Sequence, residues 1–249
     1  MAASARQSDG VNVPETAMIK AAGLATRMRP ITETKPKALI AVGGKPIIDH
    51  AIDRLVAVGV KRAVVNTHYF GDMLASHLAA RRDIEIVLSP EPELLDSGGG
   101  IFRALPQLGE IFFVVNADVF WLDGTVPALT RLARRFDSAA MDGLLLMQRT
   151  VTAVGLDGPG DFMMDPAGLV RWRKETEIAP YFFTSIQLLH RRVFDGAPGG
   201  KFSLHPYWTR ALEASRLYGI VHDGEWYHLE TPKGLADVER RLASRRIER

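Results

Sequence analysis

A run of small residues followed by two cations is the part of the sequence best suited to binding phosphate. The apolar run that begins at Met18 ends in two alanines and Gly23, and a short turn then leads to Arg27. Small side chains let the backbone approach a ligand closely, so that its N–H groups can hold phosphate oxygens. Arg27 adds a planar fork of donors and Lys37 a compact point charge. Each cation alone is typical of a solvated surface, but the segment as a whole favours phosphate binding.

Asp118 lies just beyond the most regular strand pattern in the chain. An unbroken apolar run from 111 to 115 predicts a strand, which ends at Asn116 and Ala117. In open α/β sheets, ligands bind outside the carboxyl ends of parallel strands. An isolated aspartate after a strand is most often a turn or cap residue, so the interpretation of Asp118 as functional depends on its neighbours.

Short apolar runs alternate with helical periodicity through the first half of the chain, which is the pattern of repeated βα units. In chain order we predict strand 18–22, helix 46–58, strand 63–66, helix 72–80, strand 84–88, helix 98–105 and strand 111–115. After about residue 140 the strands are shorter and look antiparallel, at 143–148, 161–164, 169–172, 182–189 and 226–229, with helices at 203–217 and 232–243. These patterns predict a Rossmann-like α/β fold, in which a mostly parallel mixed sheet lies between two layers of helices.

The composition limits the classes of protein to consider. Of the 249 residues, 47% are hydrophobic and 24% charged, which fits one large α/β domain. A net charge of +2 without long charged runs does not favour nucleic acid or an anionic membrane as a partner. There is no cysteine, and no apolar run reaches the roughly 18 residues that span a bilayer. Because the N-terminus has no signal-peptide pattern, we expect a soluble cytoplasmic protein, and its oligomeric state stays open.

Residues 18–50 read MIKAAGLATRMRPITETKPKALIAVGGKPIIDH. This segment resembles the signature of the sugar-nucleotide pyrophosphorylase family, which is approximately LAAGxGTRMRPLT followed by PKPL and GKP. Further likeness lies in the stretches SPEPELLDSGGGIFRALPQLG, VNADV, GDF, FTSIQLLH and WYHLETPKGLADVE, so that the resemblance extends from Ala17 to about Leu242. The chain is most similar to the N-acetylmuramate-1-phosphate uridylyltransferases and the mannose-1-phosphate guanylyltransferase-like proteins.

The resemblance implies a GT-A-like nucleotidyltransferase fold and a division of the chain. A flexible extension over 1–17 would precede a single domain over 18–245. Within that domain, residues 18–140 would bind the nucleotide and residues 141–245 would form a sugar-binding lobe.

The resemblance also implies roles for individual residues. Arg27, Lys37 and the metal-binding Asp118 would be catalytic. A wider set would bind the nucleotide: Ala22, Gly23, Leu24, Ala25, Thr26, Arg27, Lys37, Gly98 and Asn116. The sugar would contact Asp161, Glu175 and Ser185, although Glu177 aligns as well as Glu175 does. The metal would be Mg²⁺ or Mn²⁺, held by Asp118 and His228.

Four positions depart from the family pattern. In the stretch that corresponds to WxDVGTP, His228 replaces the aspartate that is the second metal ligand. A neutral imidazole brings one less negative charge and suits manganese better than magnesium; the alternative is that His228 only packs at the end of a strand. Lys20 replaces leucine and is able to reach into the nucleotide site, Ala25 replaces a loop glycine, and Ser185 replaces a strand glycine. We expect the methyl group of Ala25 to hinder a left-handed backbone conformation.

These assignments imply an enzyme that transfers a nucleoside monophosphate from a nucleoside triphosphate to a sugar 1-phosphate. UTP and N-acetylmuramate 1-phosphate are the favoured substrates. An ionised phosphate oxygen attacks the α-phosphorus and pyrophosphate leaves, so no protein nucleophile or general base is required. Two alternatives stay open: guanylyl transfer to mannose 1-phosphate, and a non-catalytic nucleotide-sugar sensor or partner subunit.

Overall fold

The computed structural model describes residues 12–156 and 158–247. Its strands are β1 (Thr16–Lys20), β2 (Ala41–Val42), β3 (Lys45–Pro46), β4 (Arg62–Thr67), β5 (Glu85–Pro90), β6 (Ile111–Asn116), β7 (Val119–Leu122), β8 (Gly143–Arg149), β9 (Phe162–Met164), β10 (Val170–Trp172), β11 (Tyr181–His190), β12 (Leu217–Val221) and β13 (Glu225–His228). Its helices are α1 (Ile47–Val58), α2 (Gly71–Leu78), α3 (Asp96–Ala104), α4 (Ala128–Arg135), α5 (His205–Glu213) and α6 (Pro232–Ile247).

Strand β1 lies at the centre of the main sheet. It pairs in parallel with β4 and β6, and β5 pairs in parallel with β4. On the other side of β6 the long strand β11 runs antiparallel and leads on to β8 and β9. Strand β12 is parallel to β8, and β10 is antiparallel to β9. The carboxyl ends of β1, β4 and β6 therefore meet at one edge of the sheet.

The core has one layer on each face of this sheet, because successive side chains of a strand point to opposite faces. On one face, Ile19 and Val65 pack with buried residues of α1, α2 and α4. On the other face, Met18 and Val64 pack with Ile101 of α3. The Rossmann-like arrangement with a mixed, mostly parallel sheet between helices is confirmed.

The predicted helix over 203–217 is wrong at its C-terminal end. Helix α5 ends at Glu213, and Leu217–Val221 is a strand instead. Ser215 has a φ of 56°, a left-handed conformation that a right-handed helix does not continue through. The apolar residues that follow pair with the buried strand β8, so tertiary pairing decides their conformation.

The N-terminal boundary also differs from the prediction. Strand β1 begins at Thr16, and Ala17 is fully buried, so these two residues are not part of a flexible extension. The carbonyl of Glu15 accepts a hydrogen bond of 2.8 Å from the N–H of Lys61. Residues 1–11 of the predicted extension lie outside the described residues. The division of the domain at residue 140 stays a prediction.

None of the described helices is both long enough and apolar enough to cross a membrane.

Candidate active site

A cleft of about 550 Å³ opens at the edge where β1, β4 and β6 end. Most of the residues predicted to bind nucleotide or metal line it: Ala22, Gly23, Ala25, Arg27, Lys37, Asn116 and Asp118. The lining also includes Lys20, which is expected from the sequence to be able to reach the nucleotide site, and residues without a predicted role: Asn66, Glu91, Asp96, Ser97, Lys201 and Glu230. The location agrees with the general rule that open α/β sheets bind ligands at the carboxyl ends of their strands.

The loop after β1 brings backbone to the wall of the cleft. The N–H of Ala21 donates to Oδ1 of Asn66 at 2.7 Å, which ties the start of the loop to β4. Ala25 has φ 48° and ψ 43°, a left-handed conformation that glycine adopts most readily. The hydroxyl of Thr32 donates to the carbonyl of Ala25 at 3.0 Å and holds this turn. In the folded chain Ala25 thus adopts the left-handed conformation, although its methyl group makes that conformation less favourable than it is for glycine.

Lys37 and Asp118 form an ion pair within the cleft. Nζ of Lys37 lies 2.9 Å from Oδ2 of Asp118. Lys37 begins a short 3-10 helix, Lys37–Leu39, in which Ala38 is also buried. Only 9% of the Lys37 side chain is exposed, against 31% for Asp118. An ammonium with so little access to water needs a partner, and Asp118 supplies one at the end of the central strands.

Glu230 is a cleft residue that the sequence did not single out. Its carboxylate forms an ion pair with Arg27, and its Oε2 lies 3.0 Å from Nε2 of His228. The hydrogen bond with His228 lowers the pKa of Glu230; burial opposes this shift, while the charges of His228, Arg27 and Lys37 add to it. The sequence did contain a signal, because Glu230 occupies the glycine position of WxDVGTP, two residues after His228. A carboxylate is thus retained in the cleft although the usual aspartate is replaced.

The donor set for a divalent cation consists mainly of carboxylate oxygens. No group of three or more histidine, aspartate or glutamate side chains suited to a metal occurs within residues 12–156 and 158–247. Asp118 and Glu230 line the cleft, whereas His228 is outside its lining. Magnesium is commonly held by one or two carboxylates, with substrate phosphates and water completing its shell. Asp118 and Glu230 fit such a shared site, and His228 as a metal ligand stays a prediction.

Gly98 lies beside the cleft and is not part of its lining. Its N–H donates to the carbonyl of Phe202 at 3.0 Å, so this N–H is not free to bind a nucleotide, and a role for Gly98 in nucleotide binding stays a prediction. A Cβ atom at Gly98 would lie 2.6 Å from the ring of Phe202, and this close packing explains the glycine. Ser97 lines the cleft instead. Leu24 and Thr26 are exposed and also lie outside the lining.

The residues predicted to contact the sugar also lie outside the lining of this cleft. Oδ2 of Asp161 accepts a hydrogen bond of 2.9 Å from the N–H of Phe183. Burial raises the pKa of Asp161, opposed by that hydrogen bond and by the charges of Arg173 and His228. Ser185 has a φ of 65° and lies where the register of β11 on β8 shifts. The left-handed backbone at Ser185 explains why a glycine suits this position.

Glu175 and Glu177 have different environments. Both carboxylate oxygens of Glu177 accept hydrogen bonds from Arg171, at 2.7 and 3.1 Å, and these bonds lower the pKa of Glu177 to about 2. Glu175 is exposed, and its carboxylate has no hydrogen bond or ion pair with any residue in the described part of the chain. Of the two glutamates, Glu175 is therefore the one available to a ligand.

Residues 17–153, more than half of the 249, match the family model of the MobA-like NTP transferase domain. The chain belongs to the MobA-like NTP transferase family. Among the relatives of this NTP transferase is the N-acetylmuramate alpha-1-phosphate uridylyltransferase of Caulobacter vibrioides, 41% identical over 236 residues that cover 92% of this chain and 98% of that protein. The protein of the same name from Neisseria meningitidis is 32% identical over 228 residues, which cover 90% of this chain and 96% of that protein.

Solved structures confirm the fold of the NTP transferase. A UDP-glucose pyrophosphorylase complexed with UDP-glucose superposes with a TM-score of 0.76 at 14% identity, covering 94% of this chain and 100% of that one. The inositol-1-phosphate CTP transferase from T. maritima superposes with a TM-score of 0.74 at 16% identity, covering 92% and 96%. The chain is a nucleotidyltransferase, and the resemblance that the sequence predicted is confirmed.

Proposed function

We propose that this nucleotidyltransferase transfers a uridylyl group from UTP to N-acetylmuramate 1-phosphate or a closely related sugar 1-phosphate. The observation that carries the proposal is the similarity to the uridylyltransferase of Caulobacter vibrioides, which is 41% identical and extends over 92% of this chain. The cleft supports it, because its lining combines a loop backbone, three cations of the nucleotide-binding half and the carboxylates of Asp118 and Glu230 in one concave site. The product would be a nucleotide-activated cell-wall sugar, and a reaction that uses UTP would take place in the cytoplasm.

The reaction brings two anions together. An oxygen of the sugar 1-phosphate forms a bond to the α-phosphorus of UTP as the bond from that phosphorus to the bridging oxygen of pyrophosphate breaks. Lys37 is fixed by its burial and would hold phosphate oxygens at a defined place in the cleft. Arg27, with 71% of its side chain exposed, would leave Glu230 and bind the triphosphate with its fork of donors. Both cations offset the repulsion between attacking and leaving groups.

A divalent cation would be shared between protein and substrate. Asp118 and Glu230 are the residues that would hold it, together with phosphate oxygens. When bound, it neutralises charge on the triphosphate, and either Mg²⁺ or Mn²⁺ serves this purpose. Because Arg27 bonds Glu230 in the structure, this pair must open when metal and nucleotide enter, whereas the buried Lys37 would keep its place beside Asp118.

A panel of substrates tests the proposal. Pyrophosphate release would be measured with UTP, GTP, CTP and dTTP, each with N-acetylmuramate, N-acetylglucosamine, glucose and mannose 1-phosphates, in magnesium and in manganese. We expect the highest kcat/KM with UTP and N-acetylmuramate 1-phosphate. A higher value with GTP and mannose 1-phosphate would replace the uridylyl assignment with guanylyl transfer. Binding of a UDP-sugar without turnover under any condition would identify a sensor.

The guanylyl alternative has less support along the chain. The mannose-1-phosphate guanylyltransferase catalytic subunit beta of Danio rerio is 38% identical, but over 109 residues that cover 41% of this chain and 30% of that protein. The uridylyltransferase relatives instead match from end to end, including the region of Asp161 and Glu175.

A further inference from the structure

The cations of the cleft differ in whether the protein supplies them with a partner. Arg27 is paired with Glu230, and Lys37 with Asp118. Lys20 and Lys201 also line the cleft, but within the described residues neither has a hydrogen bond or an ion pair from its ammonium group. Lys201 is exposed, so its ammonium group can donate its hydrogen bonds to water. Lys20 is half-buried, so water reaches its ammonium group less freely than that of Lys201.

Lys20 is the last residue of the central strand β1. Its backbone pairs in register with Asn66 of β4 and Asn116 of β6, and its carbonyl accepts a hydrogen bond of 2.9 Å from the N–H of Ala117. By strand alternation its side chain lies on the same face as Met18, which packs toward α3. The residues of the strand from Ala17 to Ile19 are apolar and fully buried. The fold therefore favours an apolar residue at position 20.

The carboxylates nearest to Lys20 are engaged elsewhere. Burial lowers the pKa of Lys20, and the charges of Asp118, Asp96 and Glu91 oppose that shift. Asp118 is bonded to Lys37, and Asp96 accepts from the N–H of Ser97. Glu91 accepts from Asn66 at 2.6 Å and from the N–H of Leu95 at 2.9 Å. These carboxylates lower the cost of burying the ammonium without satisfying its donors.

We propose that Lys20 binds the nucleotide, by donating a hydrogen bond from its ammonium group to an acceptor oxygen of the bound nucleoside triphosphate. The inference rests on the proposed function, since it names a further residue of the same substrate site. A uridine nucleotide has three kinds of acceptor oxygen: a phosphate oxygen, a ribose hydroxyl and a carbonyl oxygen of the base. An ammonium has no acceptor, so a contact with the carbonyl at position 4 of the base would favour uracil over cytosine, which has an amino group there.

The test compares Lys20→Met with Lys201→Met as a matched control on the same cleft. Methionine keeps most of the apolar stem of Lys20 and removes the charge. Dissociation constants for uridine, UMP and UTP would be measured by calorimetry without added metal, and melting temperatures with and without each ligand. We expect Lys20→Met to raise the dissociation constant for UTP about tenfold or more. Lys201→Met should leave that constant within about twofold of the wild-type value. Without nucleotide, the melting temperature of Lys20→Met should be unchanged or higher, because a half-buried ammonium without a protein partner has been removed.

The three ligands identify the oxygen. Weaker binding of UMP and UTP with unchanged binding of uridine would assign Lys20 to a phosphate, and weaker binding of all three would assign it to the nucleoside. If Lys20→Met and the wild type have the same dissociation constant for every ligand, the inference is overturned. A fall in the melting temperature of Lys20→Met without a change in nucleotide binding would also overturn it. If the wild type releases pyrophosphate from UTP and Lys20→Met binds UTP normally, only this inference fails. If the wild type binds no nucleotide, the proposed function and this inference fail together.

Discussion

The two ion pairs of the cleft have the same chemistry but different surroundings. Lys37 is 9% exposed and bonds Asp118 at the end of the central sheet, whereas Arg27 is 71% exposed and bonds Glu230 just before α6. An exposed pair contributes little stability, typically under about 1 kcal/mol, so exchanging its partner is easy. A buried cation is held in one place. The comparison indicates a fixed phosphate contact at Lys37 and a movable one at Arg27.

Replacing Lys37 should have the largest effect on turnover. We expect Lys37→Ala to lower kcat/KM by about 1,000-fold, since it removes a positioned charge from a site with little water. Steady-state pyrophosphate release would measure it, with circular dichroism to confirm the fold. Lys201→Ala removes an exposed charge from the same cleft and serves as the control. Activity of Lys37→Ala within a few-fold of the control would contradict a catalytic role for this lysine.

Arg27→Ala should reduce kcat/KM by a smaller factor, about 100-fold, because an exposed guanidinium is partly replaced by water. Its melting temperature should stay close to that of the wild type, because the Arg27–Glu230 pair is exposed. Arg27→Lys keeps the charge without the fork and should recover part of the activity. A larger loss for Arg27→Ala than for Lys37→Ala would reverse the ranking of the two contacts.

Glu230 and His228 are the two candidate metal ligands near Arg27, the movable cation of the cleft. We expect Glu230→Gln to weaken Mn²⁺ binding to the enzyme with UTP by about tenfold, measured by electron paramagnetic resonance, because one carboxylate ligand is lost. His228→Asp places two carboxylates side by side. Their repulsion should lower the melting temperature without metal, while magnesium and UTP should restore it and raise turnover.

Unchanged Mn²⁺ affinity in Glu230→Gln, together with a loss in His228→Ala, would assign the metal to the imidazole, as the sequence predicts. If both variants bind Mn²⁺ as tightly as the wild type does, Asp118 and the substrate phosphates are left as the ligands.

The lowered pKa of Glu230 predicts a smaller effect, which is a change of fold stability with pH in a definite direction. Its folded pKa lies below the ordinary value of 4.5, chiefly because of the hydrogen bond with His228. The carboxylate therefore stabilises the fold above pH 4.5, and this contribution is lost as the pH falls through the lowered pKa. The difference in melting temperature between wild type and Glu230→Gln should thus shrink as the pH falls below 4.5. A difference that grows on acidification would contradict the assigned contact.

The sequence predicted the cleft better than it predicted the surroundings of individual residues. Short-range patterns such as the apolar run before Asn116 decide strand ends, and strand ends decide where Asp118 and Ala22 lie. Partners that come from distant segments are not visible in such patterns. The pairing of Arg27 with Glu230 joins the first loop to the last helix, and the carbonyl that accepts the N–H of Gly98 lies more than a hundred residues away, in Phe202.

The smallest expected effect concerns the two residues that replace glycine. Ala25 and Ser185 both have a left-handed φ, 48° and 65°, which costs a residue with a side chain about 1 to 2 kcal/mol relative to glycine. Glycine recovers that cost but loses about 0.4 to 1 kcal/mol through the greater freedom of the unfolded chain. Ala25→Gly and Ser185→Gly should therefore each raise the melting temperature by about 1 to 3 °C. Ala25→Gly should leave the KM for UTP within about twofold, since the alanine already has the conformation that the loop needs. A fall in melting temperature for Ala25→Gly would mean that the loop does not keep its left-handed turn in solution, and the exposed side of the cleft would then be less preorganised than its buried side.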